Sequence, residues 1–249
     1  MSWRGYATLL LVVTIAGVFA TPSHAQSAGD GFLFRVPGGS FGLRAGFDHA
    51  MAGSDVFSYF TRELTLRRSD FSSATLGAYV GFRVSPRNDL VFDFSYANVS
   101  QGSEYRDWID QNNQPIVQTT SLRRIPITVG LRHYLGARGR AIGRFAWIPA
   151  AQTPYVGVGA GVMQYRFRQV GDFINLQTLN IASDALESTA WTPVVHALAG
   201  MDFSLGRFFL LNGEVRYTWA RGPMNRDYIG YNKIDLSGLS ATAGFSFRL

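Results

Sequence analysis

The 249-residue chain has no cysteine, and Lys233 is its single lysine. Without cysteine it forms no disulfide framework, has no thiol chemistry and cannot hold a Cys-ligated zinc ion. We expect no metal site and no cofactor, because His49, His133 and His196 fall on different predicted strands and faces. Beyond the first 25 residues there is no long apolar run, so we expect no membrane-spanning helix in that part.

The first residues have the features of an export signal. Arg4 precedes an apolar stretch over residues 7–20, and the small residues Ser23 and Ala25 offer a cleavage site before Gln26. We therefore predict a secretory signal peptide in residues 1–25 and one domain over residues 26–249. The alternative is an uncleaved anchor helix, for which the apolar stretch is short.

The basic charge of the chain comes almost entirely from arginine. The formal net charge is +6 and the pI is about 9.8. The arginines form no continuous stripe with interleaved aromatic residues, and an exported chain does not routinely meet nucleic acid. We therefore expect no nucleic-acid partner.

Eight stretches alternate apolar residues with small or polar ones. In the first, Phe41, Leu43 and Phe47 share one face of a strand, and Arg44 and Asp48 share the other. The apolar faces carry no Asp, Glu, Lys or Arg, whereas the strand charges lie on the opposite faces. This pattern predicts a closed eight-stranded antiparallel up-and-down β-barrel with lipid outside and a polar interior. The stretches cover residues 40–48, 75–83, 90–97, 124–134, 155–162, 195–203, 211–219 and 239–249.

The predicted connections alternate in length. Residues 85–88 and 204–207 are tight turns, whereas residues 50–71, 99–120, 168–191 and 220–234 are long and polar. This arrangement is typical of a bacterial outer-membrane barrel with both termini in the periplasm.

Three of the connections carry further predictions. Residues 103–120 predict a hairpin that extends two strands, and residues 55–66 predict a short amphipathic helix at the mouth. Residues 136–153 are long where a short turn is expected, and residues 145–149 within them lie either along the inner membrane interface or in an ordered loop.

An eight-stranded barrel is just wide enough for side chains to fill it. Inward arginines and acids nearly balance, as buried charges must. We predict a lumen ion-pair network of Arg44, Asp48, Arg83, Asp93, Arg132, Asp202, Glu214, Arg216 and Arg248. It either plugs the lumen or gates a narrow conduit by switching partners.

The motifs FGLRAG at 41–46, RIPITVGLRHY at 124–134, TPYVGVGAG at 153–161, EVRY at 214–217 and the last strand, 235–249, resemble small outer-membrane barrels of the OmpW, OmpX and opacity-protein type. The resemblance covers essentially the whole predicted mature chain and implies the barrel rather than one activity. It also implies recognition by the barrel-assembly machinery through Phe245, Phe247 and Leu249, although Leu249 stands where the family usually ends in an aromatic residue.

Some small barrels hydrolyse lipid, which requires a serine and a histidine within hydrogen-bond reach. His49 and Ser72 are the best such pair in this chain, but no acid is clearly placed to orient His49. We therefore predict that the protein is not an enzyme.

We predict a monomeric outer-membrane barrel with a structural or surface-interaction role through its outer loops. The alternative is a narrow conduit for small molecules, which OmpW-type resemblance implies, and a lipid A hydrolase is a remote third. Arginine binds phosphate bidentately, so Arg67, Arg68, Arg123 and Arg124 at the rim are candidate contacts for lipopolysaccharide.

Overall fold

The computed structural model describes residues 32–174 and 180–249. In these residues eight antiparallel strands form a ring, in which each strand pairs with the next along the chain and the last pairs with the first. The predicted closed eight-stranded barrel is confirmed, whereas the predicted signal peptide lies outside the described residues. The strands are β1 Gly39–Ala50, β2 Ser73–Arg83, β3 Asn88–Ile109, β4 Pro115–Tyr134, β5 Gln152–Ile174, β6 Ile181–Ser204, β7 Phe209–Gly222 and β8 Gly238–Arg248.

The two faces of each strand differ in chemistry as the alternation predicts. Leu43 is 57% exposed on the outside, whereas the next residue, Arg44, is 7% exposed and points into the lumen. Large apolar side chains are exposed on the outside of all eight described strands, and the buried arginines and acids lie inside. The barrel therefore has an apolar outer surface and a polar interior, which is the architecture of a transmembrane β-barrel.

The two ends of the barrel are built differently. One end, which we call the turn end, carries the β2–β3 and β6–β7 turns, the start of β1 and the end of β8. The opposite end, the loop end, carries the helix α1 (Asp55–Glu63), the 3-10 turns Arg68–Phe71 and Arg226–Tyr228, and the short strand Ile234–Asp235. The helix predicted over residues 55–66 is present, three residues shorter. Among the described helices, none is long and apolar enough to cross a membrane.

Four strands continue past the others at the loop end. The predicted hairpin over residues 103–120 is present, because β3 runs to Ile109 and β4 begins at Pro115. The prediction of a long loop over residues 168–191 is wrong. In this part β5 and β6 remain paired, from Arg168 opposite Glu187 to Ile174 opposite Ile181. Polar composition there reflects exposure to water and does not prevent strand pairing.

The β4–β5 connection closes the turn end. Its strands Gly139–Ile142 and Ala146–Pro149 form a small hairpin, and Leu33 pairs with Trp147 through two backbone hydrogen bonds of 2.9 and 2.8 Å. Trp147 is 5% exposed, with the Arg248 guanidinium 5.8 Å from its ring centre. Of the two alternatives for residues 145–149, a position along the inner membrane interface is therefore wrong for Trp147. This side chain packs against the inward Arg248 at the end of the lumen.

Candidate functional site

Five buried ionic side chains meet at the middle of the lumen, and we call them the ionic cluster: Arg44, Asp93, Arg132, Glu214 and Arg216. Arg44 Nη2 lies 2.6 Å from the Asp93 carboxylate, and its Nη1 lies 3.2 Å from Glu214. Arg216 reaches both acids at 2.8 Å, and Arg132 Nη2 lies 3.3 Å from Glu214. The strands β1, β3, β4 and β7 supply these residues, so the cluster links distant parts of the wall.

Tyrosine rings support Arg132 within the cluster. Its guanidinium lies 4.8 Å from the centre of the Tyr79 ring and 4.2 Å from that of Tyr155. The Tyr155 hydroxyl also donates a hydrogen bond to Glu214 at 3.3 Å. Glycine makes room for both rings, because a Cβ at Gly42 would overlap Tyr79 and one at Gly200 would overlap Tyr155. The inward tyrosines were visible in the alternation, but their stacking on Arg132 depends on register across the barrel.

Four of the nine predicted network residues lie outside the ionic cluster. Asp202 accepts a hydrogen bond from the Tyr134 hydroxyl at 3.1 Å, and Arg248 donates to Ser204 Oγ at 2.6 Å. Arg83 donates to the backbone carbonyls of the β2–β3 turn. Asp48, the fourth, pairs with Arg124 at 3.2 Å nearer the loop end.

Arg124 does not lie where the predicted lipid contact requires it. We expected it at the rim beside Arg123, but its side chain is inside the lumen and only 4% exposed. It also donates to the Leu236 carbonyl at 3.5 Å. The reason is strand parity, since neighbouring residues point to opposite faces.

An apolar core fills the lumen at the loop end, and we call it the apolar lid. The buried residues Val56, Phe57 and Phe60 of α1 enter the mouth and pack on the barrel wall. The Phe57 ring centre lies 4.6 Å from that of Phe71 and 5.7 Å from that of Phe167 on β5. The residues of the apolar lid are Ala50, Ala52, Val56, Phe57, Phe60, Leu64, Leu66, Phe71, Leu122, Met163, Tyr165, Phe167, Val194, Ala220, Tyr228, Ile234 and Leu236.

Polar contacts tie α1 to the segment before β8. The Asp55 carboxylate accepts hydrogen bonds from the Asn232 backbone and side-chain nitrogens at 2.9 and 2.8 Å. The backbone hydrogen bond from Asn232 lowers the pKa of Asp55 below its ordinary value of 3.8. Asp235 Oδ2 also accepts from the Gly53 nitrogen at 3.0 Å. Because Asp55 stays charged at neutral pH, these contacts hold the apolar lid in place under those conditions.

The space left inside the lumen is small. A cavity of about 30 Å³ lies between the ionic cluster and the apolar lid, and one of about 20 Å³ lies near Asp202 at the turn end. Each has room for only one or a few water molecules. The described side chains therefore fill the barrel as an eight-stranded ring predicts.

The other three predicted rim arginines lie at the loop end, where Arg67 and Arg68 are exposed and Arg123 is half-buried. Arg67 pairs with Asp70 at 3.2 Å, and Arg68 donates to Ser58 Oγ at 3.2 Å. Arg123 points outward from β4, directly opposite Arg166 on β5.

His49 and Ser72 are brought together on the outside of the barrel. Ser72 Oγ lies 3.1 Å from His49 Nδ1 and accepts a hydrogen bond from the Ala50 nitrogen at 3.2 Å. In the described residues no carboxylate bonds to His49, so this contact lacks the third group that would orient a catalytic base. The same residues contain no group of three His, Asp or Glu side chains that could hold a metal ion.

The end of β8 presents its predicted assembly residues to the outside. Phe245, Phe247 and Leu249 are 63%, 37% and 58% exposed. Phe247 stacks on Phe208 with ring centres 5.4 Å apart.

No family model and no curated protein matches the chain. Solved structures of small bacterial outer-membrane barrels do match it, which is the class that the sequence resembles. Neisserial surface protein A is 11% identical, covering 85% of this chain and 96% of that one, with a TM-score of 0.47. OprG from Pseudomonas aeruginosa is 17% identical, covering 87% and 99%, with a TM-score of 0.46. Ail of Yersinia pestis is 12% identical, covering 86% and 100%, with a TM-score of 0.43.

Proposed function

We propose that the chain is an integral outer-membrane barrel with a filled lumen and a structural and surface-interaction role. One observation carries this proposal: the apolar surface faces outward while the buried ionic cluster lies between an apolar lid and a closed turn end. The outer surface does not fit a protein surrounded by water, because its exposed apolar side chains form a continuous belt.

Aromatic side chains mark the two edges of this belt. Tyr96, Trp191 and Trp219 are 40%, 56% and 49% exposed on the side of the loop end. On the side of the turn end, the exposed rings include those of Phe82, Phe209 and Phe247. Tyrosine and tryptophan rings favour the membrane–water interface because each joins an apolar ring to a polar group. We therefore place the apolar belt in lipid from these rings down to the exposed phenylalanines.

The orientation follows from the lengths of the connections. Bacterial barrels have short periplasmic turns and long extracellular loops. We therefore place the turn end and both ends of the barrel domain in the periplasm, with the loop end outside the cell. Exposed Phe245, Phe247 and Leu249 would then be available to the barrel-assembly machinery during insertion.

The part outside the cell is an ordered surface. Strands β3 to β6 continue beyond the barrel as a four-stranded sheet, on which Trp108, Ile109, Val117 and Val170 are 37–61% exposed. Ordered strands present these side chains in fixed positions, which lowers the entropic cost of binding. This sheet is the surface through which we propose that the protein, acting as a monomer, contacts its partner.

A filled lumen predicts an electrically silent protein. Purified protein refolded into planar bilayers is expected to give no steady openings, because the ionic cluster and apolar lid leave cavities of about 30 Å³ or less. A large porin in the same chamber is the control for insertion. Regular single-channel openings from pure protein would support the conduit and contradict this proposal.

A further inference from the structure

Two outward arginines face each other across neighbouring strands near the loop end. Arg123 on β4 is the direct cross-strand partner of Arg166 on β5, and the next outward residue of β5 is Arg168. Like charges directly opposite each other destabilise a sheet. An anion between them would convert this repulsion into attraction.

The acid nearest to these arginines balances only part of their charge. Glu187 on β6 accepts a hydrogen bond from Arg166 Nη2 at 2.6 Å and lies 3.8 Å from Arg168 Nε. The hydrogen bond from Arg166 lowers the pKa of Glu187 below its ordinary value of 4.5, so it is charged at neutral pH. Two arginines thus share this carboxylate, and Arg123 has no acid of its own among the described residues.

Two donor groups of this surface are free within the described residues. The Arg123 guanidinium makes no hydrogen bond or ion pair there, although the side chain is half-buried. Arg166 bonds Glu187 through Nη2, whereas its Nη1 makes no hydrogen bond in the same part of the chain and the side chain is 38% exposed. An oxyanion placed between the two guanidinium groups could accept from both.

The depth of the pair narrows the choice of anion. Ile125 and Gln164 form the next outward pair toward the turn end, and Trp191 is the partner of Gln164 on β6. Below them the outward positions of β4 are Ile127, Val129 and Leu131, which belong to the apolar belt. The arginines therefore lie immediately above the belt, where the phosphates of an outer-leaflet lipid are expected.

We propose that Arg123 and Arg166 bind a phosphate group of an outer-leaflet glycolipid, with Arg168 as an additional contact and the lipid's acyl chains beside Ile125 and Trp191. This inference rests on the proposed membrane location. It commits to a lipid rather than free phosphate because the polar and apolar contacts are continuous along one face.

The test compares two double substitutions that remove the same charge. Refolded protein in detergent micelles is titrated with bisphosphorylated lipid A, with dephosphorylated lipid A and inorganic phosphate as separate ligands. R123Q/R166Q is expected to weaken binding of bisphosphorylated lipid A at least about tenfold, since charge-assisted bidentate hydrogen bonds are lost. R62Q/R226Q, which changes two exposed arginines of the loop end that are not among the candidate lipid contacts, is expected to leave it within about twofold.

Each other outcome overturns the proposal in a definable way. Equal weakening by the two double substitutions means that diffuse charge holds the lipid, and equal affinity for dephosphorylated lipid A means that phosphate is not recognised. Equally tight binding of inorganic phosphate means that the ligand is not a lipid. Heat-modifiable migration on gels reports barrel folding independently, so a folded barrel that fails this test leaves the proposed membrane function intact.

A substitution of Glu187 is expected to strengthen lipid A binding, whereas the arginine substitutions weaken it. E187Q keeps the size of the side chain but removes the carboxylate that competes for Arg166 and Arg168. Binding of bisphosphorylated lipid A is expected to tighten about threefold or more, since one negative charge near the phosphate is lost. Weaker binding by E187Q would contradict the proposed role of these arginines.

Discussion

Glu214→Gln is expected to lower the free energy of unfolding by about 3–5 kcal/mol, because it removes the charged partner of buried arginines. Glu214 contacts Arg44, Arg132 and Arg216, and its side chain is only 4% exposed. After the substitution Asp93 remains as the acid of the ionic cluster against three guanidinium groups. Urea unfolding of the protein in lipid vesicles, followed by tryptophan fluorescence, measures the change.

The matched control is the same substitution at an exposed ion pair. Glu187 pairs with Arg166 at 2.6 Å, but its side chain is 37% exposed. Glu187→Gln is expected to change the free energy of unfolding by less than about 1 kcal/mol, since water screens this pair. If the two substitutions have equal effects, the lumen is open to water and the ionic cluster does not fill it.

Val129→Arg is expected to lower the free energy of unfolding in a bilayer by about 2–4 kcal/mol, the cost of a charge near the middle of a membrane. Val117→Arg on the same strand and the same outward parity is expected to cost less than about 0.5 kcal/mol. The two valines are 43% and 49% exposed, so their surface accessibility is nearly equal. Their surroundings differ, because Val129 lies in the apolar belt and Val117 in the sheet beyond it.

Reversible folding into vesicles measures the free energy of unfolding of both variants. Equal costs at both positions would mean that the belt does not end between them. A cost at Val117 alone would place the membrane around the extended sheet, contrary to the proposed arrangement.

Strand parity predicted which residues face outward, because one side of every strand meets a different solvent from the other. The same alternation places Arg124 on the inward face of its strand. Its prediction as a rim arginine ignored this alternation and was therefore wrong. The ends of β5 and β6 were less predictable. Hydrophobic alternation weakens where both faces of a sheet meet water or polar groups, so residues 168–191 resembled a loop.

Partner choice within the lumen was not predictable from the sequence. The nine expected network residues are all inward, but whether Glu214 meets Arg44 or Arg248 depends on the stagger between strands that are distant along the chain. The closure of the turn end was missed for a similar reason. Trp147 is buried because Leu33 pairs with it and Arg248 lies beside it, and the sequence signal at 145–149 is a short apolar run that also suits a membrane interface.

The absence of cysteine allows the most direct measurement of the outward apolar face. Single cysteines at Ile127, Val129 and Val117 would carry a fluorescent label, and the protein would be refolded into vesicles whose acyl chains are brominated. Labels at 127 and 129 are expected to be quenched by the lipid, whereas the label at 117 is not. Equal lipid quenching at 117 and 129, or a label at 129 that aqueous iodide quenches as readily as one at 117, would contradict a barrel with lipid outside and charge within.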